Sequence, residues 1–422
     1  MSVLLFHSSV APFVQQAARA LQEAGQLDCF VTAVRDEPES FRQRALCATA
    51  RLLGRDLASR FRRRAVTEIP PALVDSHPWG ELLRLAVGAG DRDGRLTDWI
   101  WERSETSFDR AVARQLRAKL TGVYGFEFGS LATFVRARAL GLRVAYDVPA
   151  PEPEFVHGLL AAEMDRFPEL RTAYHRYTER REAARTARRR AEWRGADVVV
   201  AASRFTRRTY ADAGLDVAKV RIVPYGAPEP AERTAALGGG GREDEPLRLI
   251  WAGTFSLRKG AHYLLDAWRH GGLGDHARLR VFGTVALPPR ALRPLPDGIE
   301  ISGSVPRPEL FDHYRQADAL IFPTLCDGFG MVVTEAWSRG LPVITTDRAG
   351  AADLLKPRQN GLLIPAGDAA AIRENLQWCL DHRSDLRAMR EPALATAASW
   401  QWSDYRRALS DTLRRAGFFS DS

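Results

Sequence analysis

Cysteine is scarce in this 422-residue chain. Cys29, Cys47, Cys326 and Cys379 stand far apart, with no CxxC pair and no His/Cys spacing suited to zinc. That excludes a disulfide-stapled fold and a structural zinc site, and points to a reducing cytoplasm. Long apolar runs are also missing. The opening MSVLLFHSSVAPF carries no basic leader, and its apolar stretch is too short for a secretory core or a membrane span, so it reads as a first buried strand. No GxGxxG follows that strand, which argues against a nicotinamide dehydrogenase. Lysine is limited to Lys119, Lys219, Lys259 and Lys356, so nearly all of the 60 basic residues are arginine.

The remaining composition is that of a globular protein, with 45% hydrophobic and 27% charged residues. Single hydrophobic cores stop growing at about 250–300 residues, so two domains are expected. A net charge of +8 invites a nucleic-acid-binding reading built on clustered cations. The arginine and alanine bias also fits GC-rich coding, which weakens the inference from charge alone.

Short apolar, β-branched runs followed by helical patterns recur along the chain, the signature of parallel α/β layers. Strands are expected at Val3–Phe6, Leu142–Tyr146, Val198–Ala201, Arg221–Val223, Leu247–Trp251, Leu279–Phe282, Ala319–Phe322 and Pro342–Thr345. Between two such blocks lies LGGGGREDEP, Leu237–Pro246, whose glycines, charges and proline mark an interdomain linker. Phe41–Arg64 holds eight arginines against one acid, with Leu46, Leu52, Leu53, Leu57 and Phe61 at helical spacing. It is either a basic amphipathic helix meeting anionic lipid or an arginine-rich helix packed along one face. A second run, Arg176–Arg190, reads as a solvated helical face in which Glu179 and Glu182 pair with neighbours one turn away.

The richest chemistry lies in DGFGMVVTEAWSRGLPVITTD, Asp327–Asp347. A strand, a turn with Gly328 and Gly330, and then a helical pattern from Met331 would expose backbone N–H groups to an anionic or polyhydroxy ligand. Asp327 and Glu335 bracket that turn, and ionised carboxylates accept hydrogen bonds from sugar or ribose hydroxyls. A second loop, AGTFSLRKGAHYLLDAW (Ala252–Trp268), puts Arg258 and Lys259 at the start of a helix. Cations there are electrostatically misplaced unless an anion sits between them, which favours a diphosphate.

These two loops resemble those of the retaining glycosyltransferases of the GT-B fold, the family 4 group that uses nucleotide sugars. The resemblance rests on GTFSLRKG (Gly253–Gly260), SGSVPRPELFDHYRQADALIFPT (Ser302–Thr324), DGFGMVVTE (Asp327–Glu335), GLPVITTD (Gly340–Asp347) and NGLLIPAGD (Asn360–Asp368). A weaker echo runs through ADVVVAASRFTRRTY (Ala196–Tyr210) and RIVPYGA (Arg221–Ala227). It implies two facing Rossmann-like domains, an acceptor domain over residues 1–238 and a donor domain over 246–395. Residues 396–422 would form a helix crossing back to the first domain.

The resemblance further implies a cytoplasmic, metal-independent hexosyltransferase that retains anomeric configuration and needs no cofactor beyond the nucleotide sugar. Lys259, with Arg258, would hold the diphosphate and Glu335 the ribose. Asp327, Gly328, Phe329, Gly330 and Met331 would face the sugar, Ser304 and Val305 the base, and Gly253 with Thr254 would complete the donor site. Relatives commonly carry arginine at the position of Thr254 and glutamate at that of Asp327, so Arg258 is the candidate to supply the missing cation. His7, Glu127, Asp147 and His157 are acceptor-side candidates because each lies at or after a predicted strand end, where open α/β sheets bind ligands. The acceptor could be a small molecule, a lipid-linked species or a glycan, with peripheral contact to the inner membrane face through Phe41–Arg64. The rivals are a GT-B epimerase or phosphorylase and the nucleic-acid-binding reading.

Overall fold

The computed structural model describes residues 2–52, 56–88, 90–91, 93–239, 241 and 244–419. Two parallel sheets divide the chain. The first contains β1 (Val3–Phe6), β2 (Leu27–Thr32), β3 (Val74–Ser76), β4 (Gly122–Phe126), β5 (Arg143–Val148), β6 (Val198–Ala201) and β7 (Val220–Ile222), in the order β3-β2-β1-β4-β5-β6-β7. The second contains β8 (Leu247–Ala252), β9 (Ala277–Phe282), β10 (Ile299–Gly303), β11 (Ala319–Phe322), β12 (Val343–Thr346) and β13 (Gly361–Ile364), in the order β10-β9-β8-β11-β12-β13. Both orders reverse direction next to their first strand, so each sheet has a switch point, at β1/β4 and at β8/β11, where ligands of open α/β sheets bind.

Helices cover both faces of each sheet, and the two-residue period of the strands divides their side chains between cores. In β1, Val3 and Leu5 enter one core while Leu4 and Phe6 enter another. In β8, Leu247, Leu249 and Trp251 point one way and Ile250 and Ala252 the other. The core that receives Val3 and Leu5 also receives Ile250, Phe322 and Phe329, so it runs without interruption from one sheet to the other.

The last helix, Trp402–Arg415, buries Tyr405, Leu409 and Leu413. Arg406 donates to Gln16 at 2.7 Å and pairs with Glu23 at 2.7 Å, and Ser410 Oγ donates to the Ala20 carbonyl at 3.1 Å, so the helix lies along Pro12–Glu23. The predicted return to the first half is present. In the reverse direction, Met164 and Leu170 of the first half enter the core beneath β8 and β9. Glu163 accepts from Tyr263 at 3.1 Å and lies 3.0 Å from His262.

The glycine-rich stretch joins the two sheets, although residues 240, 242 and 243 lie outside the described residues. Its Gly241 N–H donates to Asp318 at 2.6 Å.

The arginine run 176–190 differs from the solvated face expected. It belongs to the helix Ala173–Gly195 and packs on Arg95–Gln115, where Arg185 is buried against Asp98 (2.5 Å) and Glu102 (2.9 Å). Arg188 meets Asp109 at 2.6 Å, and Glu182 pairs with Arg189, two turns away, at 3.7 Å. The partners of Arg185 and Arg188 come from a distant helix, which local spacing cannot show.

The other run forms helices Phe41–Leu52 and Leu57–Arg62, with Leu53 outside the described residues. Phe61 is buried, yet Phe41 is 83% exposed and Leu46 is also exposed, so packing consumes only part of the apolar face. Among the described residues no helix is long and apolar enough to cross a membrane.

Candidate functional site

The loops after β8 and β11 meet at the second switch point. The first turns sharply, with Lys259 N–H donating to the Ser256 carbonyl at 3.1 Å and Gly260 N–H to the Leu257 carbonyl at 2.9 Å. Gly260 has φ 76°, and a Cβ there would lie 2.0 Å from the Pro323 carbonyl oxygen, so only glycine lets the loops touch. They are joined where Leu325 N–H (2.9 Å) and Thr324 Oγ (3.3 Å) donate to the Arg258 carbonyl.

That junction brings the Lys259 ammonium against the Asp327 carboxylate. Burial, and then the neighbouring Arg258, press the Lys259 amine well below its ordinary range, with Cys326 opposing. Arg258 has no carboxylate partner among the described residues. Its guanidinium lies close enough to Lys259 to disfavour the charged amine and meets the Cys326 thiol, so a further anion beside the two cations would relieve their repulsion. Gly253 and Thr254 border this cluster on an exposed edge, where Thr284 Oγ donates to Thr254 Oγ at 3.4 Å.

Glu335, in the short helix Met331–Trp337, belongs to a second group. Its Oε1 lies 2.7 Å from Arg307, which begins the helix Arg307–Gln316 just after Ser304 and Val305. Burial pushes the Glu335 carboxyl above its ordinary range, and Arg307 opposes that shift. Ser304 is exposed, whereas Val305 is partly buried against the core.

Gly328, Phe329 and Gly330 do more than border open space. The Gly328 carbonyl accepts from Ser203 Oγ at 2.7 Å and from Thr206 Oγ at 3.1 Å, both at the C-terminal end of β6. A Cβ on Gly328 would lie 2.0 Å from the Pro149 carbonyl oxygen, just after β5. Phe329 is buried edge-on to Tyr225, with ring centroids 5.3 Å apart, and Tyr225 stacks on Phe13 at 5.1 Å. Gly330 caps its helix at φ 84° against the Phe322 ring, and Met331 is partly buried. The C-terminal edges of the two sheets therefore face one another across a crevice.

The four acceptor-side candidates separate. His7 follows β1, and its Nδ1 lies 2.8 Å from the Ser9 N–H and 3.0 Å from both the Ser9 carbonyl oxygen and Oγ; burial lowers its pKa to about 4, with the Ser9 backbone opposing. Glu127 is ion-paired with Arg189 at 2.6 Å, with burial raising its pKa and Arg189 opposing. Asp147 is fully enclosed, accepts from Tyr124 Oη at 2.6 Å, and has a pKa raised by burial to about 7. It is therefore placed as an interior group beneath the crevice rather than on its surface. His157 is half-buried on the helix Pro153–Arg166.

Sequence reasoning did not identify Arg307 as the partner of Glu335, nor Ser203 and Thr206 as contacts of the Gly328 loop. The SRFT string did contain a signal. A serine three residues before a threonine at a helix start predicts a cap, and Ser203 Oγ accepts from Thr206 N–H at 3.1 Å.

Residues 246–382 match the family model described as "Glycosyl transferases group 1". A D-inositol 3-phosphate glycosyltransferase of Xylanimonas cellulosilytica is 31% identical over 225 residues, covering 48% of this chain and 53% of that protein. A probable sucrose-phosphate synthase 5 of Oryza sativa is 32% identical over 130 residues, covering 28% of this chain and 12% of that one. The chain thus matches about half the length of the first of these relatives, and much less of the second. In fold, it resembles Anabaena Alr3699/HepE, solved in complex with UDP (TM-score 0.61, 13% identity, 98% of this chain and 100% of that one). It also resembles the sucrose-phosphate synthase of Thermosynechococcus elongatus (TM-score 0.65, 17% identity, 98% of each chain).

Proposed function

Residues 246–382 belong to the group 1 glycosyl transferases on a chain of GT-B fold, and from that premise we propose that the protein moves a sugar from a nucleoside-diphosphate sugar to an acceptor held by the first domain. The observation that carries the proposal is the meeting of Lys259, next to Arg258 in the chain, with Asp327 at the second switch point, on a loop that touches the C-terminal edge of the first sheet.

In this reading the diphosphate takes the place of Asp327 beside Lys259 and draws in Arg258. Both cations then stabilise the negative charge that grows on the departing phosphate. Asp327, released from Lys259, is free to accept a sugar hydroxyl, and Glu335, steadied by Arg307, accepts the ribose hydroxyls. Ser304 and Val305 border the base, while Gly253 and Thr254 leave room for the phosphates.

The acceptor hydroxyl attacks the anomeric carbon from the face that the phosphate leaves. The new C–O bond forms as the old one breaks, and the hydroxyl proton passes to the departing phosphate oxygen, so configuration is retained. A hexose is the sugar proposed, by resemblance. His7 and Glu127 stand at the first switch point as acceptor-side groups.

The test is turnover of a panel of nucleotide sugars, with the anomeric configuration of the product read by NMR. Transfer with retention supports the reading; conversion of the donor without any acceptor would identify an epimerase instead.

A further inference from the structure

A cleft of about 560 Å³ opens beside the loop Ser8–Pro12, directly after β1 at the first switch point. That volume is in the range of small-molecule sites. Four arginines line it: Arg60, Arg63, Arg64 and Arg84. Arg64 and Arg84 share a single carboxylate, Glu81, at 2.5 and 2.6 Å. Arg60 donates only to the Leu85 carbonyl, at 3.3 Å, and Arg63 has no partner among the described residues.

The one other acid of the lining, Glu105, is turned inward, where it accepts from Ser8 Oγ at 2.6 Å. Burial raises its pKa to about 7, so it offsets little of the positive charge below neutrality. The cleft therefore holds more guanidinium than carboxylate, and two guanidinium groups point at nothing anionic. Planar guanidinium groups grip phosphate oxygens in pairs.

A chain of aromatic contacts links the loop beside the cleft to the donor loops. The segment that borders it continues into Phe13, whose ring stacks on Tyr225, which in turn meets Phe329 of the loop after β11. A polyol with its phosphate among the arginines would present its hydroxyls toward that crevice.

We propose that this cleft is the acceptor subsite and that it selects an acceptor carrying a phosphate, gripped by Arg60 and Arg63. The assignment rests on the glycosyltransferase reading, since only a transferase needs an acceptor. The phosphate belongs either to a soluble sugar or polyol phosphate or to a lipid headgroup.

The experiment compares the full-length wild type with Arg60→Gln/Arg63→Gln, two substitutions at exposed positions. Each protein is first saturated with UDP so that the donor site is occupied, and inorganic phosphate is then titrated calorimetrically. The expected result is phosphate binding at least tenfold weaker in the variant, with UDP affinity and thermal midpoint unchanged. Equal phosphate affinity in the two proteins, or none in the wild type, overturns the subsite.

Competition against bound phosphate then distinguishes the sources. Displacement by glucose 6-phosphate marks a soluble acceptor, displacement only by phosphatidylinositol vesicles and not by phosphatidylcholine vesicles marks a lipid-linked one, and displacement by neither overturns the acceptor class. Failure of the wild type to bind any nucleoside diphosphate while the phosphate difference persists would overturn the glycosyltransferase reading, and with it the acceptor role, by a separate signal.

Discussion

Lys259 and Asp327, 68 positions apart, form an ion pair across the junction of the β8 and β11 loops, with both side chains largely buried. In the function proposed above, this pair parts when the diphosphate binds.

Its two halves should therefore behave differently. If Lys259 faces the leaving group as proposed, Lys259→Ala should cost roughly 10²–10³ in kcat, the worth of one preorganised electrostatic contact. Asp327→Asn frees Lys259 for the diphosphate, so binding of the free nucleoside diphosphate should hold or tighten while sugar transfer falls. Calorimetric titration beside steady-state kinetics checks this; parallel losses of nucleotide affinity in both variants would count against the competition.

Glu335→Gln should weaken nucleoside diphosphate binding by roughly ten- to a hundredfold, the worth of a charge-assisted hydrogen bond of about 1.5–3 kcal/mol. It should also reduce the preference for a ribonucleotide over its 2′-deoxy analogue. Arg307→Ala, which strips Glu335 of its 2.7 Å partner, should act in the same direction but more weakly. Undiminished discrimination in Glu335→Gln would remove the carboxylate from the ribose site.

Gly328→Ala tests how the two halves close. Its methyl group would sit 2.0 Å from the Pro149 carbonyl oxygen, a contact that backbone can relieve only by moving apart. The expected variant keeps nucleotide binding, loses transfer by tenfold or more, and shows a larger radius of gyration in solution scattering. Ser203→Ala, which deletes the 2.7 Å bond to the Gly328 carbonyl, should give a milder version.

Asp147 links stability to pH. Its carboxyl is pushed up to about 7 in the folded protein, above its ordinary value of 3.8. Because the native state binds the proton more tightly than the unfolded chain, the stability contribution is present at low pH and is lost as pH rises toward 7. Glu105 and Glu192, also raised by burial to about 7, add to the same slope. In Asp147→Asn the urea midpoint should fall less steeply between about pH 4 and 7 than in the wild type. An unchanged slope would show that Asp147 does not titrate in that window.

Much of both sheets was legible because the signals are local. β1, β6 and β11 occupy the predicted residues, and β5, β7, β8, β9 and β12 lie within two residues of them at each end. Each carries a short apolar stretch, such as VVVA in β6 or ALIF in β11. β2, β10 and β13 were not among the predicted strands, and β4 did not stand out either, because Gly122 and Gly125 interrupt its pattern. The reason for those glycines is tertiary: a Cβ at Gly122 would meet Phe418, and one at Gly125 would meet Phe6 and Ser130. β3, only three residues long, is defined by its pairing with β2.

The site divides along the same line. Order in the chain alone fixed the Gly-rich turns, the RK pair before a helix, and the carboxylates at 327 and 335, since backbone conformation and charge placement are set within a few residues. Folding decided which charges meet: Lys259 with Asp327, Arg307 with Glu335, Arg185 with Asp98. It also drew Asp147 into the interior and left Arg60 and Arg63 facing a cleft. Those outcomes depend on the strand order of two sheets and on burial, and no window of sequence contains either.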